Sequence, residues 1–132
     1  MDAPAQTPNP ASVTIEPFGA YVLARVTTDI DASTYQGIDD ALSEALAGTQ
    51  TALIIDLSGV HNCGSHGAHT LARLNRQATG RGISVIVTGV HHGIARLLDI
   101  MSLDQSILTQ PDPDTAAQWL DRGTASINDA IL

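Results

Sequence analysis

The chain has 132 residues and a mass of 13.8 kDa, is 43% apolar, and carries 14 acidic residues against six basic ones, for a formal charge of −8. That length makes one domain able to bury about two-thirds of its unfolded surface, and the apolar fraction excludes wholesale disorder. No stretch of about 18 apolar residues is present to cross a membrane, the acidic balance repels phosphate backbones and so argues against direct nucleic-acid binding, and a sequence without lysine excludes a P-loop.

Residues 1–11 (MDAPAQTPNPA) hold three prolines and lack both a basic start and an apolar core. They read as a disordered leader and not as a signal peptide. Residues 12–16 alternate, with Val13 and Ile15 on one face. Pro17-Phe18-Gly19 signals a turn, and residues 20–26 form a second strand with Tyr21, Leu23 and Arg25 opposite Val22, Ala24 and Val26. After a polar connection over 27–31, Ser33 or Thr34 is placed to cap a helix whose apolar positions are Tyr35, Ile38, Leu42, Ala45 and Leu46, with Gly48 at its end. The run Ala52-Leu53-Ile54-Ile55 suits a strand covered on both faces. Ser65 is expected to cap a second helix with Ala68, Leu71, Ala72, Leu74 and Ala78 inward, closed by Gly80 and Gly82. Residues 83–88 (ISVIVT) form another central strand, and Ile94, Leu97, Leu98 and Met101 mark a third helix. Residues 107–109 make a short edge strand, and Pro111 and Pro113 precede a last helix with Ala116, Trp119 and Leu120.

The order β-β-α-β-α-β-α-β-α predicts an α/β fold, a single domain over 12–122 with a mixed, mostly parallel sheet, an N-terminal hairpin and about four helices, followed by a tail over 123–132. Ligands and partners of such sheets meet the loops at the carboxyl ends of the strands. The loop over 58–66 is the most informative, because Ser65 stands at a helix N-terminus, where free N–H groups and the dipole favour an anion. A phosphate on that hydroxyl would add about −1.5 to −2 charges and change what docks there. The plain reading of the same serine is an ordinary helix cap.

Three segments, in order, resemble the STAS domain of bacterial anti-sigma factor antagonists. Thr28-Asp29-Ile30-Asp31 followed by Ser33-Thr34 is similar to the family's Gly-x-Leu-Asp segment before the first helix. Asp56-Leu57-Ser58-Gly59-Val60 with Gly64-Ser65-His66-Gly67 is similar to Asp-Leu-Ser-x-Val and Asp-Ser-Ser/Thr-Gly. Residues 94–104, ending Ser102-Leu103-Asp104, are similar to the third-helix pattern that usually ends Gly-Leu-Asp. The resemblance implies a non-catalytic regulator that binds an anti-sigma factor of the serine protein kinase type, with phosphorylation at Ser65 and a phosphatase to reverse it. It places the contact surface on residues 58–71, with the loops over 29–34 and 89–93, and so on Asp31, Ser58, Asn62, Gly64, Ser65, His66, His69 and Arg73. The chain departs from the family where Gly64 replaces the usual Asp, His66 the usual Ser or Thr, and His69 the usual Gly. A divergent STAS module without phosphorylation, acting by constitutive binding or by sensing a small ligand, is the first alternative.

His61, Cys63, His66 and His69 lie close together and are residue types that bind zinc, which gives a second alternative, a metal-responsive module using His66 and His69. Their spacing matches no zinc motif, so neither a metal nor a cofactor is expected. Cys63 is the single cysteine, which makes a reducing, cytoplasmic setting the default, and a helix N-terminus beside it would lower its pKa. A hydrolase triad around Ser65 fails because no histidine follows Asp99. Asp56 is expected to order the loop after its strand, Trp119 to cover the core, and Arg73 and Arg76 to lie on an exposed helix face.

Overall fold

The structure, a computed structural model, describes residues 12–103 and 106–131, with side chains as far as Arg122. The expected leader over 1–11, and Asp104 of the third matching segment, lie outside the described residues. The elements follow the predicted order: β1 (Val13–Phe18), β2 (Tyr21–Val26), α1 (Tyr35–Ala47), β3 (Ala52–Asp56), α2 (Gly64–Gly80), β4 (Ser84–Thr88), α3 (His92–Ile100), β5 (Leu108–Gln110) and α4 (Pro113–Ile131). The backbone of α4 thus continues through the segment expected as a tail.

The strands stand side by side in chain order, with β1 antiparallel to β2 and all later neighbours parallel. A sheet that grows in one direction through right-handed crossovers puts every crossover helix on the same face. Accordingly α1, α2 and α3 share one core, in which Ile38, Leu42, Leu71, Leu74, Ile94 and Leu98 pack on Ala24, Leu53, Ile55, Val85 and Val87. The helix α4 covers the other face, where Ala116 and Leu120 meet Leu23, Ile54 and Ile86. All five residues of β3 are buried, as a strand covered on both faces requires. Trp119, expected to cover this core, is 41% exposed on α4.

Several boundaries differ from expectation for identifiable reasons. The hairpin turn is not at Pro17-Phe18-Gly19: Phe18 pairs with Tyr21, so Gly19-Ala20 forms the turn, with Gly19 at φ +63°. Pro17 stays in β1 opposite Val22, which an edge strand tolerates because the missing N–H is not needed for a ladder. Ile15 is 48% exposed because that edge receives little cover. Neither Ser33 nor Thr34 caps α1 through its own hydroxyl. Instead Asp31 Oδ1 accepts from the Thr34 N–H (3.0 Å), and Thr34 Oγ1 accepts in return from the Asp31 N–H (3.0 Å), a reciprocal capping box. The edge strand β5 begins at Leu108, one residue later than expected, while Ile107 is buried. The end of α2 is a Schellman closure: Gly82 at φ +73° donates to the Thr79 carbonyl (3.1 Å) and Ile83 to the Ala78 carbonyl (2.8 Å). At the start of α4, Asp112 Oδ1 accepts from the Thr115 N–H (2.7 Å) and Pro113 occupies the first helical position, where its missing donor is harmless.

Three residues in one row tie the carboxyl ends of the central strands together. Arg25, Asp56 and Thr88 are register partners across β2, β3 and β4. The buried Asp56 carboxylate accepts from Thr88 Oγ1 (2.8 Å) and Ser58 Oγ (2.6 Å) and lies 3.6 Å from the Arg25 guanidinium. The chain leaves β4 directly over this knot through Gly89, at φ +66°, where a Cβ would stand 2.9 Å from Asp56 Oδ1 and 2.9 Å from Ser58 N. Gly89→Ala therefore combines a left-handed backbone with a collision. A loss of about 2–4 kcal/mol in urea unfolding is expected. Gly64→Ala, also left-handed at φ +56° but with nothing within 4 Å, is expected to lose only about 1–2 kcal/mol.

Candidate functional site

The loops after β2 and β3 are joined before any side chain of the surface is placed. Asp29 Oδ1 accepts from the backbone N–H groups of His61 (2.8 Å) and Asn62 (3.2 Å), and the Ile30 N–H donates to the Asn62 carbonyl (2.9 Å). The N–H donated by His61, then that of Asn62, holds the Asp29 carboxyl below its ordinary value, because hydrogen bonds to the charged form favour it. Asp31 is likewise held low by the Ser33 hydroxyl and N–H and by the Thr34 N–H. Of the two acids in the connection, one caps α1 and the other reaches across to the next loop. Sequence reading assigned a role to Asp31 and missed that of Asp29. A second acid two residues before a helix-capping one was the available signal.

Under this loop, Val60 and Cys63 are buried, and Gly67 lies so close to Cys63 that a Cβ there would be 2.8 Å from Cys63 Cβ. Burial pushes the Cys63 thiol pKa up, which overturns the expected lowering by the helix N-terminus. Gly64 then enters α2 at φ +56°, a conformation L side chains rarely adopt. Asp, the residue the family pattern places here, would be strained in this backbone. The cap position of α2 falls on Cys63 and not on Ser65. Ser65 is the second residue of the helix, exposed, and its hydroxyl meets no partner among the described residues. Freed from capping, it projects at the positive end of a helix of 17 residues.

The remaining predicted residues fall into distinct places. Asn62, Gly64, Ser65, His66 and His69 are all exposed along the loop and the first turns of α2. The His66 ring lies 4.6 Å from the Tyr35 ring at the start of α1. Ser58 is exposed, but its hydroxyl is spent on Asp56. Its carbonyl accepts from His91 Nε2 (2.8 Å), so that ring carries its proton on Nε2. The His91 ring stacks on His61 at 4.6 Å and 17°, which joins the loops after β3 and β4. Arg73, expected on an exposed face, is half-buried and pairs with Asp39 of α1, which also accepts from Thr70 Oγ1 (3.0 Å). Arg76 remains exposed beyond it. No group of three or more His, Cys, Asp or Glu side chains is placed to hold a metal among the described residues: His61 faces His91, His66 faces Tyr35, and Cys63 is buried. Two clefts flank the edge, one of about 430 Å³ between α3 and the ends of β4 and β5, the other of about 320 Å³ between α1 and α2.

Because the strands run in sequential order, the sheet has no reversal of strand order and hence no crevice of the kind in which α/β proteins hold small ligands. The edge instead presents loops tied to one another, with the exposed Ser65 hydroxyl without a partner among the described residues. Among the described residues no helix is long and apolar enough to cross a membrane.

Residues 10–116 match the sequence profile of the STAS domain. The chain is 28% identical over 99 residues to the anti-sigma-F factor antagonist RsfB of Mycobacterium tuberculosis, covering 75% of this chain and 80% of the relative. Its structure is similar to that of an anti-sigma factor antagonist from Mycobacterium paratuberculosis, with a TM-score of 0.70 at 25% identity over 83% of this chain and 92% of the other. It also shares its fold with the unphosphorylated form of the anti-sigma factor antagonist SpoIIAA, with a TM-score of 0.67 at 15% identity over 84% and 96% of the two chains.

The hydrogen bonds to Asp29 and Asp31 predict an acid limit to stability. A carboxyl whose folded-state pKa is depressed contributes fully above its unfolded value, near 4, and that contribution disappears as pH falls through the folded value. Melting temperature is expected to hold between about pH 7 and 5 and to fall below about pH 4. Asp29→Asn is expected to lower it at neutral pH and to flatten the acid limb.

Proposed function

The chain belongs to the STAS domain family, and we propose that it is an anti-sigma factor antagonist, a cytoplasmic binding protein whose partner is an anti-sigma factor of the serine kinase type. The observation that carries this reading is Ser65: an exposed hydroxyl with no partner among the described residues, on the first turn of α2, beside loops that Asp29 and the His61–His91 stack hold in place. A kinase needs an acceptor that is accessible and not already hydrogen-bonded, and this serine meets both needs. The Ser65 oxygen takes the γ-phosphoryl group of ATP, ADP leaves, and the hydroxyl proton passes to the kinase base. A phosphatase reverses the change by delivering the phosphoryl group to water.

The switch follows from electrostatics. The unmodified edge offers a neutral hydroxyl and backbone groups to the partner. Phosphorylation adds about −1.5 to −2 charges, which the N-terminal dipole of α2 stabilises in the free protein. A partner docked over the serine would have to desolvate that charge, so the modified form is released. The chain works by occupying or leaving the partner and not by catalysis.

Ser65→Ala is expected to keep partner binding and Ser65→Asp to weaken it by about tenfold or more, measured by calorimetric titration with the anti-sigma factor that co-purifies from the native cell. Intact-mass analysis of the native protein should show one phosphate, absent in Ser65→Ala. Equal binding by both variants with no phosphate under growth or stress would replace the switch with constitutive binding. The left-handed Gly64 favours that second reading, because it gives the acceptor loop a shape that the family's Asp would strain.

A further inference from the structure

We propose that α2 carries, beyond Ser65, a cationic strip that docks an acidic segment of a protein partner. Between Leu57 and Leu98 the sequence contains no Asp or Glu, yet it holds all five histidines and four of the six arginines. The fold gathers part of that surplus onto one line. His66, His69, Arg73 and Arg76 follow at spacings of three, four and three, which places them on one stripe of α2 about 15 Å long. The stripe forms one wall of the 320 Å³ groove against Tyr35 and Asp39 of α1, and Arg76 also lines its continuation of about 410 Å³ toward Arg81.

Asp39 pairs with Arg73 in this groove, and among the described residues the charge of Arg76 is left without a partner from within. Asp39 is the one carboxylate on its walls, and it is already occupied by Arg73 and Thr70. Arg76 is exposed and has no ion pair among the described residues. Arg81 donates to the carbonyls of Leu46 (3.0 Å) and Thr49 (3.2 Å), which orders its guanidinium without cancelling the charge. A positive strip on a chain of charge −8 favours a short acidic segment that touches the strip alone. A nucleic acid or a second copy would also meet the acidic remainder and be repelled by it.

The strip goes beyond the proposed function and does not need phosphorylation, although Ser65 stands at its head. A phosphate there would add negative charge at the head of the strip and repel the same acidic segment, so the two features act in one direction.

The test is fluorescence anisotropy of the whole chain with a labelled peptide of roughly 15 residues bearing Glu at alternating three- and four-residue intervals, beside the same peptide with Gln for Glu and a thymidine oligonucleotide of about that length. The acidic peptide should bind at low salt, weaken about tenfold between roughly 20 and 300 mM salt, and lose about tenfold again in Arg76→Glu. Arg76→Lys should retain binding, and an unchanged melting temperature in both variants separates docking from folding. Absence of binding, equal binding of the Gln peptide, or indifference to Arg76→Glu would overturn the proposal. So would an oligonucleotide that binds as tightly, or a dimer in sedimentation that Arg76→Glu dissociates, since the strip would then serve a nucleic acid or a second copy. Ser65→Ala, which removes the acceptor without adding charge, leaves this outcome unaffected, so failure here and failure of the phosphorylation reading are distinct.

Discussion

Everything at the functional edge stands on the Asp56 carboxylate. A buried charge is tolerable only where hydrogen-bond donors and an opposite charge surround it. Here the donors come from the loop just after its own strand and from the neighbouring strand, and the cation from the strand on the other side. A slip of one residue in any of the three strands would turn Arg25 or Thr88 to the opposite face and strand the carboxylate. The knot therefore sets the level at which three strands end. From that level the loops depart at fixed height, and Asp29 then draws the first two together.

Given this platform, the character of the site follows from topology. Strands added in order keep three helices on one side, so the loops at the carboxyl ends run alongside one another and the clefts lie at their flanks. Such an edge is suited to meeting a surface.

How far the sequence could be read depended on the range of each interaction. Element order and both cores came from periodicities within a dozen residues, where Leu71 and Leu74 or Ile54 and Ile86 announce their faces directly. The misplaced hairpin turn shows where a local rule meets a tertiary exception: Pro17 breaks a central strand but not an outer one. Serine favours the cap position, so the local pattern alone puts Ser65 there. The left-handed Gly64 shifted the helix start and left the hydroxyl unengaged. The Asp29 bridge and the Arg73–Asp39 pair span more than thirty residues, and no local pattern encodes which of 14 acids will meet which arginine.

The two faces of the sheet are clothed unequally, three helices on one and α4 on the other. During synthesis the last strand is complete at Gln110, but the rear row of Leu23, Ile54 and Ile86 stays wet until Ala116 and Leu120 have left the ribosome. At about 5–20 residues per second, that interval is short. It is nonetheless the stage at which the nascent chain exposes the aliphatic rear of its sheet. The order in which this protein is made thus leaves its least protected surface to be sealed last.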